Sequence, residues 1–345
     1  MRRFGLLLLF ISSPVFAQNA SVTVNLSPEA NILATELGVS TSELEALIVE
    51  QVEALYGITD IERFLELSAN AQNLTSKGLG VDYASDRRGI IVGVAASGAL
   101  DAGDADIDDL ENIDFTNFDR AVPLGVGAQL SVMVGYNFRR QGLERLTVYT
   151  NGLYTSYGVD EFDGRFTNFG LHGQYKVFGP YGPSLARWGG IDVSSGVEFS
   201  RMVLTLKDDE LVRDTTIVNE VGDAPLTTVG GGELSLLQTA WTIPLEVTTN
   251  VQLAYFFSLY GGFAGDIQFG NAELRADTDV ALSSGSLDVG TADVFADDSN
   301  GPTTAIFRLL GGVQFNIWKF KIFGQVNLTT ANFAVAGAAG LRFVE

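Results

Sequence analysis

The stretch 302-PTTAIFRLLGGVQFNIWKFKIFGQVNLTTANFAVAGAAGLRFVE-345 decides the fold class. From Ala305 the alternate residues Phe307, Leu309, Gly311, Val313, Phe315 and Ile317 are apolar or small, and Arg308, Gly312, Gln314 and Asn316 between them are polar or small. Trp318-Lys319 reads as a tight turn. Phe320, Ile322, Gly324, Val326 and Leu328 then alternate with Lys321, Gln325 and Asn327. After Thr329 to Asn332 a last strand runs through Phe333, Val335, Gly337, Ala339, Leu341 and Phe343. A period of two sends successive side chains to opposite faces of a sheet. Three consecutive sided strands suit a barrel wall in lipid and a soluble sandwich alike, so alternation needs a second constraint.

The first residues supply one. Arg2-Arg3, the apolar run Phe4 to Ile11 and the small-x-small site Val15-Phe16-Ala17 make residues 1–17 a secretory signal peptide. The run is too short to span a bilayer as a helix, and no later stretch reaches 18 uninterrupted apolar residues. The mature chain is therefore expected to start near Gln18, outside the cytoplasm. Its formal charge of −21 becomes about −23 once the two arginines are removed. That charge repels phosphates and argues against nucleic acid as a partner. Cysteine is absent, which excludes disulfides and thiol chemistry. Glycine is abundant, at 39 residues, and phenylalanine at 23, against 8 prolines. Small residues and aromatics recurring within alternating strands suit a barrel with a crowded interior and ringed exterior.

Residues 18–76 read differently, as three short amphipathic helices. Ser27-Pro28-Glu29-Ala30 looks like an N-cap followed by proline. Ser40-Thr41-Ser42-Glu43 is a capping box ahead of Leu44, Leu47, Ile48, Val52 and Leu55, and Thr59-Asp60-Ile61-Glu62 is a second. Gly38 and Gly57 are the breaks. Leu33 to Ser40 resembles a DNA-binding helix-turn-helix, but the mature segment has no Lys or Arg before Arg63 and follows an export signal, so that resemblance implies only a tight turn. The segment is expected to be a periplasmic appendage or a plug in a barrel lumen.

From Lys77 onward the pattern predicts ten strands, at about 88–100, 121–138, 145–158, 164–178, 188–206, 232–248, 250–270, 303–317, 319–328 and 332–344. Short connections (139–144, 179–187, 248–250 and 318–319) alternate with longer acidic ones (101–120, 207–231 and 271–302). The long ones have room for extra strands at Leu211–Val221 or Glu273–Leu282, which would give twelve. Two further connections on that side, 160–163 and 329–332, are short. Short turns at one end and long loops at the other mark a transmembrane antiparallel β-barrel, all-β apart from its helical start.

At this point the chain resembles the bacterial outer-membrane β-barrel superfamily, through its leader, its sided strands and a final strand ending near an aromatic. The resemblance implies insertion by the barrel-assembly machinery, with Leu341 and Phe343 as the terminal signal, although Val344-Glu345 follows where that group usually ends. It also implies contact with outer-membrane lipids and lipopolysaccharide. A helical segment ahead of the barrel and Pro244 inside a strand are similar to long-chain fatty-acid transporters, which have a plug and a kinked strand.

Residues that could carry chemistry are few. His172 is the only histidine and by parity faces the lumen with Asn168, Gln174 and Lys176. A catalytic reading needs a partner such as Ser194 or Asp192; the plainer reading is a lumen-lining side chain, and no catalytic residue is assigned. Lys176, Asp192, Glu198, Glu246, Arg308, Lys319, Lys321 and Arg342 are the other lumen-lining candidates, either paired across the barrel or lining a path. Asp104, Asp106, Asp108 and Asp109, within an acidic run from Asp101 to Asp119, have the oxygen spacing for Ca²⁺, and otherwise form a solvated loop. No cofactor is expected beyond that ion. The function these features predict is a passive channel or transporter for small solutes, hydrophobic ones among them. The competing class is a closed barrel (structural, adhesin or receptor) that works through its acidic outer loops.

Overall fold

The computed structural model describes residues 19–56, 61–84, 89–103, 124–183, 185–218, 222–330 and 333–345. The leader 1–17, the second capping box up to Asp60, and Asp104, Asp106, Asp108 and Asp109 lie outside them. In chain order the elements are β1 (Asn19–Leu26), α1 (Ala30–Leu37), α2 (Thr41–Tyr56), α3 (Ile61–Thr75), β2 (Ile90–Asp101), β3 (Gly125–Asn137), β4 (Leu146–Val159), β5 (Phe162–Phe178), β6 (Ala186–Val218), β7 (Asp223–Leu253), β8 (Phe257–Ser284), β9 (Leu287–Asn300), β10 (Ala305–Ile317), β11 (Phe320–Thr329) and β12 (Ala334–Val344).

Every pairing between these strands is antiparallel, and they form one sheet. Ten of them close a ring in the order β2-β3-β4-β5-β6-β7-β8-β10-β11-β12, with β12 pairing back to β2 (Gly337↔Gly98). β9 and β1 stand outside the ring. β9 continues the pairing of β8 beyond the barrel (Ala272↔Asn300 to Ser284↔Leu287), and β1 pairs β9 (Asn19↔Asp297 to Leu26↔Gly290). The segments 211–218 and 273–282 are therefore not additional barrel strands but extensions of β6 and β8; 219–221 lie outside the described residues. The register rows spiral, as a closed barrel of tilted strands requires. Following one row from Phe263 through Leu309, Leu328, Val335, Leu100 and Val126, and carrying the β3–β4 register upward, the path returns to β8 at Arg275, twelve residues along.

The outward face identifies the medium. Along β8 the outward residues Leu259, Phe263, Ile267 and Phe269 are exposed and apolar, and those that follow, Asn271, Glu273, Arg275, Asp277 and Asp279, are exposed and polar. From Phe257 to Phe269 a strand rises about 40 Å, which at a tilt of ~40° gives an apolar band roughly 30 Å tall, enough for a hydrocarbon core. Trp241, Trp188, Tyr255, Phe315 and Trp318 are exposed on the same surface. This is a transmembrane barrel whose wall continues past the membrane on one side.

One turn departs from the sequence expectation. The chain reverses at Ala254-Tyr255 rather than 248–250, with φ of 47° and 65°. Neither residue is the Gly or Asn that normally marks a left-handed turn, so the signal was absent. The turn expected at Trp318-Lys319 is formed, with Trp318 at φ 56°. Residues 19–26 also form a strand, although they were read as part of a helical segment.

Candidate functional site: the filled lumen and the capped mouth

Helix α3 enters the barrel at the end opposite Glu345 and the short turns. Its first residues Phe64, Leu65 and Ala69 pack on Leu236, Ala272 and Leu274 at the rim. Lower down, Ala71 and Leu74 meet Ala99, Ala334 and Ala336. Leu79 then lies against Ala95, Phe323 and Ala338. Val81, Tyr83 and Ala84 end among Ile91, Met133, Tyr149 and Val344, next to the start of β2. The chain thus crosses the lumen from end to end. Lys77 to Ala84 belongs to this plug, and the barrel wall begins at Ile90 rather than at Lys77. β1, α1 and α2 therefore sit at the far mouth, away from the C-terminus.

Glycines let the plug seat closely. A Cβ on Gly127 would lie 2.9 Å from the backbone of Ala71, and one on Gly125 would collide with the backbone of Leu67. Along the lower thread, a Cβ on Gly80 would stand 2.6 Å from Asn151 and 2.8 Å from His172.

Charged side chains lock this packing. The Lys77 ammonium donates to Glu198, which also accepts from Ser76, and His172 Nε2 lies 3.5 Å from the other Glu198 oxygen. Arg308 donates to Asp266 at 2.7 Å, to Asn327 at 2.7 Å and to Glu246. The second Glu246 oxygen accepts from Tyr83 and Ser194, both at 2.8 Å. Arg342 donates to the carbonyls of Val81 (2.7 Å) and Gly78 (3.2 Å), stands 3.5 Å from Asp82, and stacks on Phe323. Arg308, Arg342, Asp192, Glu198, Glu246, Asp266 and His172 are all buried. Such charges are tolerated because each of these carboxylates meets a cation.

The sequence candidates separate accordingly. His172 is wedged between Gly80 and Gly196 and faces Glu198. Ser194 serves Glu246 and Asp192 pairs with Lys176 at 3.0 Å, so neither partner considered for a catalytic reading is directed at His172 by these bonds. Lys319 and Lys321 are at the turn below β10, where Lys321 donates to the Trp318 carbonyl and Lys319 lies over Trp318 and Phe343. Leu341 is exposed on the outer surface, and Phe343 packs on Phe320. Lys77, Asp82 and Tyr83 escaped the sequence reading because the run Ser76 to Ala84 has no helical or strand period. Its signal was Gly78 and Gly80 beside three chemically active residues.

Above the membrane the extended β6, β7 and β8, with β9 and β1, form a five-stranded sheet whose inner face is covered by α1 and α2. Leu33, Leu37, Leu44, Ile48 and Val52 from the helices bury against Ile217, Leu226, Val280, Leu282 and Val294 from the sheet. Gly38, with φ 67°, ends α1. The capping box of α2 is formed, with Ser40 N–H donating to Glu43 at 2.7 Å and Glu43 N–H to Ser40 Oγ at 3.3 Å. Ser27 does not cap α1: it accepts from Glu29 N–H, and the helix begins at Ala30.

The chain matches the Lsa36-like family model over residues 17–344. It belongs to the Lsa36-like family. None of the curated proteins matches it. Among solved structures it is similar to the monoaromatic hydrocarbon channel CymD (10% identity, 81% of this chain and 99% of that one, TM-score 0.24). It is also similar to the attachment invasion locus protein Ail of Yersinia pestis (12%, 74% and 99%, TM-score 0.23) and the translocator domain of the autotransporter NalP of Neisseria meningitidis (10%, 79% and 92%, TM-score 0.28). Likenesses this distant carry no argument about what the chain does. The barrel assignment stands on the closed strand order and the apolar outer band.

Proposed function

We propose that this Lsa36-like protein is exported through its leader to an outer membrane, where the barrel is a closed anchor that presents the helix-covered sheet at its outer mouth. The observation that carries this reading is the filled lumen: α3 and the thread Lys77 to Ala84 occupy it from rim to base, held by Glu198, Glu246, Arg308 and Arg342. The short-turn end with Glu345 would face the periplasm, which places the sheet outside. Planar-bilayer recording on the intact refolded protein tests it. Silence from a barrel shown to be folded by heat-modifiable gel mobility is expected; stable, salt-dependent conductance from that same protein would overturn it.

A second reading, a gated transporter for hydrophobic solutes, is favoured by one feature of the wall. The β3–β4 ladder stops at Val132↔Gly152, although both strands continue upward. The Leu130 carbonyl is bonded instead by Asn168 from β5, and the Val126 carbonyl by Gln238 from β7 at 3.3 Å. Unpaired strand edges are rare at membrane depth, and the lips Leu130 and Tyr154 are exposed. A Thr75→Cys/Gln129→Cys pair joined by a reducible bis-methanethiosulfonate linker, placed where Thr75 donates to Gln129 at 2.9 Å, would tie the plug to β3. Solute uptake that stops on cross-linking and returns on reduction would establish this reading over the first.

A further inference from the structure

The five-stranded sheet above the membrane has two outer edges, and they are built differently. From Lys207 upward β6 pairs in register with β7 alone among the described strands. It carries Lys207, Asp208, Arg213 and Asp214 and is broken by a bulge between Asp208 and Leu211. Charges and a bulge are the devices by which proteins keep an edge from pairing with another chain.

β1, at the other edge, has neither. Its sequence Asn-Ala-Ser-Val-Thr-Val-Asn-Leu is uncharged and contains no proline, and it pairs in unbroken register with β9 alone among the described strands. The bond from Ser27 N–H to the Val289 carbonyl (2.9 Å) fixes which groups are used. In an antiparallel ladder, hydrogen-bonded and non-bonded pairs alternate. Carrying the phase back from Ser27, the main-chain groups of Ser21, Thr23 and Asn25 face β9. Those of Val22, Val24 and Leu26 face away from it, toward the open edge.

The two sides of that edge differ in chemistry. On the inner side are Val22 and Leu26, half-buried at the margin of the helix-covered core. On the outer side Ser21, Thr23 and Asn25 are short, and behind them the uncovered sheet face carries Asp293 and Asp297 on β9 and Asp277 and Asp279 on β8, with Arg275 among them. Asp279 stands directly opposite Asp293. A long cationic side chain on an added strand would reach over the short β1 residues toward these carboxylates, within the ~10 Å over which charges act at ordinary salt.

We propose that β1 is a strand-addition site for an extended basic polypeptide segment, apolar on the side facing α1 and α2 and carrying Lys or Arg on the other. Main-chain bonds to Val22, Val24 and Leu26 give the register, and Asp293 and Asp297 select the charge. The site goes beyond the closed-anchor reading and does not depend on it, because a conducting barrel would leave this edge unchanged.

The test uses the intact protein in zwitterionic nanodiscs and a fluorescent, end-capped (Lys-Val)4 peptide read by anisotropy. Saturable binding that weakens as salt rises is expected, with (Glu-Val)4 at least tenfold weaker. Val22→Pro removes one edge-facing N–H without touching the β9 ladder, a substitution tolerated on edge strands, and should weaken binding at least tenfold. Asp293→Asn/Asp297→Asn should weaken it and flatten its salt dependence. The peptide N-methylated at every other residue keeps its charge but cannot complete the ladder, so it too should bind at least tenfold more weakly, which holds the test open if Val22→Pro disturbs folding. Equal binding of the N-methylated and parent peptides would show simple charge attraction and overturn the proposal, as would binding unchanged by Val22→Pro.

Discussion

The strands β6, β7 and β8 pass through two environments and reverse their chemistry on the way. Within the barrel their inward residues include Glu198, Glu246 and Asp266, and their outward residues include Val197, Trp241 and Phe263. Above it, the inward face carries Ile217, Leu226 and Leu282, and the outward face Asp214, Asp277 and Asp279. On β7 and β8 inward residues stay even-numbered throughout; on β6 the bulge after Asp208 shifts parity, so that Ile217 still faces in. The backbone geometry is continuous, so the change is set by the solvent outside. Where lipid surrounds the wall, the core is the polar side; where water does, the core is apolar.

If the two cores are held by different forces, they should fail differently. Arg308→Met is expected to have the largest effect, because it leaves Asp266 and Glu246 buried beside each other without their shared cation. Removing one partner of a buried pair typically costs about 3–5 kcal/mol. Urea unfolding followed by gel mobility should show loss of the whole barrel. A variant as stable as the parent would mean that water already carries those charges.

Leu282→Ala removes a fully buried side chain from the apolar core, a change worth about 2–5 kcal/mol. Its effect should stay above the membrane, with limited proteolysis cutting α1 and α2 while the barrel keeps its heat-modifiable mobility. Loss of both together would show that the two regions fold as one unit. Between them, Gly127→Ala probes the contact of α3 with the wall. With Ala71 backbone 2.9 Å from the new methyl, overpacking should cost about 1–3 kcal/mol. Faster amide exchange in α3, with β11 and β12 unchanged, is the expected pattern.

Much of this was legible in the sequence, for a physical reason. A wall of period two with one solvent outside and another within writes itself as alternation, so the ten ring strands could be read off, with Phe315 and Gln314 on opposite faces of β10. The same rule hid what lies beyond the membrane. Above Asn271 both faces of β8 exchange character, and the acidic composition of 271–302 looked like loop although it is strand. The path of the plug was not readable either. Its descent depends on where Gly125 and Gly127 of β3 meet Leu67 and Ala71, a contact between segments far apart in sequence.

The smallest effect concerns the helical cap alone. Glu43 is fully exposed, yet the N–H and hydroxyl of Ser40 hold its carboxyl below the ordinary carboxylate range. A carboxyl depressed in the folded state stabilises above its unfolded value, near pH 4.3, and loses that contribution as pH falls through the folded value. Amide exchange at Ser40 and Glu43 should therefore accelerate, beyond the intrinsic pH trend, as acid titrates the box. In Glu43→Gln that extra step should vanish, because the amide still accepts from Ser40 but has no charge to lose. The barrel charges should not take part in this step, since Glu198 and Glu246 lie in the other core. If barrel amides open in the same pH step, the cap and the plug are coupled through α3, and the division between the two cores is less complete than their chemistry indicates.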